Sequence, residues 1–357
     1  MALHAYGKIF VSMLAAALFL AIGSPAIAVN DSNGEIGEIG EATPSYELGQ
    51  GLRLGESGFT IGGYTSLQLQ DLQNSDTRGS LSHLSMFVWW EGESRLKFFS
   101  EIDSQNTLSA DYQSEAGENH FLSIERLYFD YTFSDSLTLR AGKYLTPIGR
   151  WNQVHADPLV WTTSRPLITV NLFPDNATGL MALGNFHMLG QQADYTVYTS
   201  VGSDLRADPT ESHFSEVSGL RLNLPANENT QFGLSYANFV QSATNQGREQ
   251  LLGMDFMWSS HGVEVSGEGA YRMSSDGAQH NAKGGFLQGV VPLVDRLYAV
   301  GRIESISNPD LQNTTRLWVL GLNYRRSRAM SLKLEFIKGI NQNISASGFL
   351  SSVSVLF

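Results

Sequence analysis

From about residue 57 to the end of the chain, apolar and polar side chains change places at nearly every step. Leu252, Met254, Phe256 and Trp258 alternate with Gly253, Asp255 and Met257, and Phe232, Leu234 and Tyr236 alternate with Gly233, Ser235 and Ala237. Leu332, Leu334 and Phe336 are interleaved with Lys333 and Glu335. Val263, Val265 and Tyr271 fall opposite Glu264, Ser266 and Glu268, and Leu220, Leu222 and Leu224 fall opposite Arg221 and Asn223. A strand points successive side chains to opposite faces, whereas a helix would drop these charges into its own apolar stripe. The pattern predicts strands over 59–73, 81–93, 94–106, 121–135, 137–149, 176–187, 191–203, 216–227, 230–242, 247–261, 262–275, 282–294, 296–308, 314–327, 330–342 and 344–357, sixteen in all. Segments 282–294 and 296–308 alternate less cleanly, which leaves counts of 14 or 18 open.

The connections carry a second pattern. Short ones fall near 91–93, 134–136, 188–190, 259–261 and 325–327, and longer ones at 107–120, 150–175 and 204–215. Short turns at one end and longer loops at the other are what a transmembrane antiparallel β-barrel requires, and a closed single bacterial chain favours an even strand count. No apolar stretch of about 18 residues follows the N-terminal region, so a helical span is not expected. Charged residues make up only 16%, glycine accounts for 35 positions and mean hydropathy is -0.13, as expected when one face of each strand meets hydrocarbon and the other water. Cysteine is absent, which excludes thiol catalysis and zinc–thiolate sites, and no cofactor is expected. A net charge of -12 without any basic tract argues against nucleic acid as a partner.

Two segments precede the barrel, which is expected over 57–357. Lys8, the apolar run from Ile9 to Ile22 and the small-x-small triplet Ala26-Ile27-Ala28 predict a secretory signal peptide over 1–28. Residues 29–56 carry Asp31, Glu35, Glu38, Glu41 and Glu47 among Gly, Ser and Pro without periodicity, and are expected to be an acidic flexible segment.

Candidate functional residues follow from the two faces. The long connection after the fifth strand holds Arg150, His155, Asp157, Arg165 and Asp175 together with Trp151, Trp161 and three prolines. It is expected to fold into the lumen and constrict the pore, an outward-facing surface loop being the other reading. Arg95, Lys97, Glu101, Arg126, Asp130, Arg140, Asp194, Arg221, Asp255, Glu264, Glu268, Arg272, Lys333 and Glu335 lie opposite the lipid-facing sets and are expected on the pore wall. A lipid-exposed Arg or Lys at the membrane midplane would cost about 2–4 kcal/mol. Basic residues gather on strands three to five and acidic ones on strands ten and eleven. The result is either a transversely polarised lumen or a wall of ion pairs. Trp89, Trp90, Phe129, Tyr131, Phe133, Trp258, Trp318 and Tyr324 fall near strand ends and suggest interfacial girdles. No HExxH, G-x-S-x-G or phosphate-binding loop is present, and His155, Asp157 and Ser164 are too close in sequence for a catalytic triad. An enzyme is therefore not expected, and neither is a metal site.

The final segment, with Phe349, Val353, Val355 and Phe357 on one face, resembles the C-terminal strand signature read by the barrel assembly machinery. Ile124 to Tyr131, followed by Leu139-Arg140-Ala141-Gly142-Lys143-Tyr144-Leu145-Thr146-Pro147-Ile148-Gly149, resembles two consecutive strands of phosphate-selective-porin-like outer-membrane proteins. In that family an arginine-bearing strand precedes a Gly-basic-x-x-x-Pro-x-Gly strand that opens into a loop. The resemblance implies a sixteen-stranded, homotrimeric channel constricted by the loop after Gly149. The expectation is passive diffusion of small hydrophilic solutes or ions across the bacterial outer membrane, with outer-membrane lipid around the barrel. An outer-membrane barrel enzyme of lipase or protease type and a structural or adhesive barrel are the alternatives. Solute identity and anion or cation preference stay open.

Overall fold

The computed structural model describes residues 43–357 except 74, 112–120, 189, 207–211, 243–246, 278–279, 310–312 and 341–346. The expected signal peptide and the first part of segment 29–56 lie outside the described residues, as does most of connection 107–120.

A two-stranded hairpin, β1 (Ser45–Glu47) and β2 (Gly51–Arg53), precedes the barrel. It falls within the segment expected to lack regular structure. Pairing overrides composition here, because Leu52 and Arg53 of β2 join Ile61 and Thr60 of the first barrel strand.

The barrel strands are β3 (Phe59–Leu72), β4 (Arg78–Glu91), β5 (Leu96–Asp111), β6 (Phe121–Ser134), β7 (Leu137–Leu145), β8 (Asn176–Met188), β9 (Gln191–Ser200) and β10 (Phe214–Asn227). The ring continues through β11 (Thr230–Gln241), β12 (Glu249–Ser260), β13 (Val263–Ser274), β14 (Ala282–Val294), β15 (Leu297–Asn308), β16 (Asn313–Ser327), β17 (Met330–Ile340) and β18 (Gly348–Leu356). Each pairs antiparallel with its neighbours in sequence, and β18 pairs with β3, so sixteen strands close with no free edge. The seam is completed by Phe357, which exchanges backbone hydrogen bonds with Gly63 at 2.8 and 2.9 Å. The less regular segments 282–294 and 296–308 are two full strands, which settles the count at sixteen.

Burial follows the period of two. On β17, Ser331, Lys333, Glu335 and Ile337 are buried while Leu332 and Leu334 are half-buried and Phe336 exposed. Leu252, Met254, Phe232, Leu234, Leu320 and Trp318 form part of an exposed apolar exterior. An apolar outside around an inside that is polar apart from one apolar cluster differs from the arrangement of a water-soluble protein, and suits a cylinder in lipid. Among the described residues no helix is long and apolar enough to cross a membrane.

Strand β7 ends at Leu145, four residues before the expected end. Pro147 has no N–H to offer the sheet, and the chain turns inward there. Gly142, within β7, has φ 135°, and a Cβ there would stand 2.1 Å from the Leu127 carbonyl oxygen, so β6 and β7 approach closely only because this residue is glycine.

Candidate functional site: the barrel interior

The connection between β7 and β8 is pinched at its root. Thr146 donates its N–H to the Asp175 carbonyl at 2.8 Å, and its hydroxyl to the Pro174 carbonyl at 2.7 Å. Asn152 spans the neck, its Nδ2 donating to the carbonyls of Thr146 (2.9 Å) and Asp175 (3.0 Å). Between these points lie a 3-10 turn at Trp151–Val154 and one helical turn at Leu167–Asn171. The remaining backbone has no regular pairing, so its N–H groups need other acceptors.

Three wall glutamates supply them, one on every second strand. Glu268 on β13 accepts from the N–H groups of Arg150 (2.9 Å) and Trp151 (2.5 Å). Glu304 on β15 accepts from Leu167 N at 2.6 Å. Glu335 on β17 accepts from Thr163 N, from Ser164 N at 3.2 Å and from the Ser164 hydroxyl at 2.6 Å. Ionised acceptors make such bonds roughly twice as strong as neutral ones. Gly149, at φ 68°, lies against Glu268, and a Cβ there would stand 2.3 Å from its Oε2.

Wall cations bind the loop's carbonyl side. Arg302 donates to Glu304 at 2.7 Å, to the Thr162 hydroxyl at 2.5 Å and to the Ser164 carbonyl at 3.0 Å. Lys333 donates to the carbonyls of Asp157 and Thr162. Trp161 donates its indole N–H to Glu264 at 3.0 Å, and the Arg325 guanidinium stacks 3.6 Å from the Trp161 ring centre. Beneath these contacts, Ile148, Trp151, Leu167, Ile168, Leu172 and Phe173 pack in one cluster with the inward-facing Phe286, Ile306, Leu317, Val319 and Ile337. Residues 146–175 are therefore bonded to the inward face of β13–β17 by both polar and apolar contacts.

Several charges on the rest of the wall are matched in pairs. Arg126 meets Glu101 at 2.6 Å and stacks over Phe99, and Arg140 meets Asp130 with two bonds of 2.7 and 2.8 Å and stacks over Tyr128. Arg221 meets Asp255 with two bonds of 2.7 and 2.9 Å, and Arg272 meets Glu249 at 3.3 Å. His83 meets Asp103 at 2.8 Å. The structure thus favours the ion-paired wall over a polarised lumen: four of these pairs join adjacent strands, and Arg221 reaches Asp255 across β11 over Gly233.

Of the other residues singled out from sequence, Lys97 and Arg95 lie exposed beside the short turn after β4, where Lys97 pairs with Glu91 and Arg95 caps the Phe133 carbonyl. Trp89 pairs in register with Thr60 on the inward face, apart from the outward aromatics beside it. A cavity of 430 Å³ lies at the short-turn end between the loop and β9–β11, lined by Arg150, Gln153, Gln192, Asp194, Arg221 and Gln231 among others.

Three loop groups are shifted by this setting. Burial, with Arg165 nearby, pushes the His155 imidazole down to about 3, so it is neutral. Burial raises Asp175 to about 6 against the pull of Arg165. Burial would also raise Asp157, but His83 and Lys333 hold it below the ordinary carboxylate range.

Sequence reasoning missed Arg302, Glu304, His83 and Asp103. Arg302 and Glu304 stand two apart in one strand and so share a face, a legible signal that was obscured by the inward apolar residues Val300 and Ile306. Among the described residues, no group of three or more His, Asp or Glu side chains is arranged to hold a metal ion.

An antiparallel sixteen-stranded barrel with an apolar exterior and a polar, loop-filled interior defines a transmembrane protein of porin-like fold. Solved structures share that fold. An anion-selective porin from Comamonas acidovorans matches with TM-score 0.55 and 12% identity, over 84% of this chain and 98% of its own. The outer membrane channel DcaP of Acinetobacter baumannii matches with TM-score 0.57 and 9% identity, over 84% and 97%. Salmonella typhi OmpF, in complex with daunomycin, matches with TM-score 0.56 and 8% identity, over 84% and 97%. A protein of Aquifex aeolicus (strain VF5), described as uncharacterized, is 27% identical over 239 residues, which span 62% of this chain and 54% of that protein. No family model matches the chain. Together, fold and exterior place the protein in a bacterial outer membrane.

Proposed function

We propose that this protein is a passive diffusion channel for small hydrophilic solutes or ions, with residues 146–175 setting its width. One observation carries this reading: Glu268, Glu304 and Glu335 hold a non-repetitive loop against the inner wall by its own backbone. A rigid obstacle fixed to one side of a polar cylinder narrows it without requiring an energy source or a chemical step. The residues assigned to the constriction are Arg150, His155, Asp157, Arg165 and Asp175, and those assigned to the wall are Glu101, Arg126, Asp130, Arg140, Arg221, Asp255, Glu264, Glu268, Lys333 and Glu335. Arg95 and Lys97 act at the short-turn mouth.

The resemblance to phosphate-selective-porin-like proteins supports a relationship to that family, with weak ion preference, since Arg126 and Arg140 are each matched by a carboxylate. A homotrimer is supported by the same resemblance and by a neighbour described as the trimer form of Vibrio cholerae OmpT, which has the fold at TM-score 0.52. Phe357, whose backbone closes the seam, is proposed as the residue the assembly machinery reads.

Planar-bilayer recording tests the channel. The refolded chain should give discrete, ohmic steps, and deleting residues 158–170 should enlarge them. A folded barrel that never conducts, with or without those residues, would overturn the reading.

A further inference from the structure

The outward faces of β14, β15 and β16 depart from a smooth apolar band. Leu287, Ile303 and Trp318 border a groove of 440 Å³ whose floor includes Gly285 and Ser305 and which reaches Arg316. The floor is low because Gly269, Gly285 and Ser305 are cross-strand partners on three successive strands, and none extends beyond a hydroxymethyl group.

Three cations lie around this groove, near the strand ends that carry the longer connections. Arg316 is paired in register with Ser305, Lys338 with Trp318, and Lys283 lies two residues along β14 from Gly285. All three are exposed and outward-facing. Strand spacing and rise put the Arg316 Cα about 8 Å from that of Lys338 and about 12 Å from that of Lys283, with the two lysines about 20 Å apart on either side of it. Among the described residues none of them has a carboxylate partner, whereas the inward arginines of β6, β7, β10, β13 and β15 all do. This end of the barrel carries the longer connections, which places it at the outer leaflet.

We propose that the groove binds a phosphorylated acyl lipid of the outer leaflet. An acyl chain lies over Gly285 and Ser305 between Leu287, Ile303 and Trp318, and the phosphate sits between Arg316 and Lys338, with Lys283 flanking Arg316 on its other side. Charge complementarity favours a lipid over a second copy of the chain. A second copy would need an outward acidic strip, but of the outward strand carboxylates at that end Asp71 accepts from Thr77 and Glu216 pairs with Arg248.

The test uses the refolded full chain in detergent micelles, with diphosphoryl lipid A as probe and native mass spectrometry as readout. Wild type should retain one lipid per barrel, resist competition by inorganic phosphate and bind phosphatidylcholine poorly. Arg316→Gln with Lys338→Gln should weaken retention by about tenfold, equivalent to about 1.4 kcal/mol. Ser305→Phe, which fills the groove and leaves the charges, should weaken it comparably. Both variants keep the interior intact, and unchanged conductance confirms that they fold. Equal retention by all three proteins, equal binding of phosphatidylcholine, displacement by inorganic phosphate, or efficient disulfide formation between copies carrying Ser305→Cys would each overturn the proposal.

Discussion

Single side chains in this interior are fixed by their partners. Arg221 and Asp255 are both buried and joined by two hydrogen bonds. Removing one member strands the other, and breaking a buried pair costs about 3–5 kcal/mol. Arg221→Ala should therefore lower the heat-unfolding midpoint measurably, while Arg221→Ala with Asp255→Ala recovers part of the loss. Equal midpoints for the single and double variants would mean that the pair is not coupled. Gly149 gives a sharper test because its own geometry decides the outcome. A methyl group at φ 68° would collide with the Glu268 carboxylate that holds the Arg150 and Trp151 amides. Gly149→Ala should free the loop's first turn and expose Arg150 to trypsin, whereas an uncut barrel would show that Glu268 is not needed there. The inward placement of Arg221, Asp255 and Glu268 was legible from parity alone. Their partners were not, because a period of two assigns a face but not the neighbour across the ladder.

At the scale of elements, the strands were legible and the loop only in outline. Alternation located Thr230–Gln241 and Val263–Ser274 to within a residue or so, since lipid and water leave each position little choice. It misjudged the end of β7, where Pro147 rather than polarity decides, and missed the β1–β2 hairpin, which is too short to show a period. The loop's anchors could not be read because they join residues more than a hundred positions apart, as Trp151 and Glu268 do. The loop's response to acid combines groups of opposite sign. His155, lowered from 6.5 to about 3, contributes stability that is complete above 6.5 and is lost as pH falls toward 3. Asp175, raised from 3.8 to about 6, contributes stability that is complete below 3.8 and is lost as pH rises through 6. Between these limits the two oppose each other. Asp175→Asn should therefore steepen the loss of unfolding midpoint on acidification, and adding His155→Asn should flatten it again. Parallel pH profiles for the two proteins would remove His155 from the account.

For the whole molecule, pairing and net charge act at different ranges. Opposite charges a few ångströms apart, as in Arg126–Glu101 and Arg140–Asp130, cancel beyond their own separation, so in the proposed channel the wall would offer an ion little local preference. The chain's formal net charge of -12 remains, and it acts as a diffuse field. Such a field reaches about 30 Å at 0.01 M salt but only about 3 Å at 1 M. Reversal potentials across a salt gradient should accordingly show a mild cation preference at low salt that fades toward neutrality at 1 M. Arg126→Gln should behave differently, because it leaves the buried Glu101 without its partner inside the barrel rather than adding to the distant field. Its cation preference should persist at high salt, where screening between exposed groups is nearly complete but a buried carboxylate is screened much less. Neutralising Lys97, an exposed member of a surface pair with Glu91, should shift selectivity only at low salt. A wild-type channel with strong anion preference at every salt concentration would mean that the arginines face the solute unpaired, contrary to the arrangement described for β5, β6 and β7.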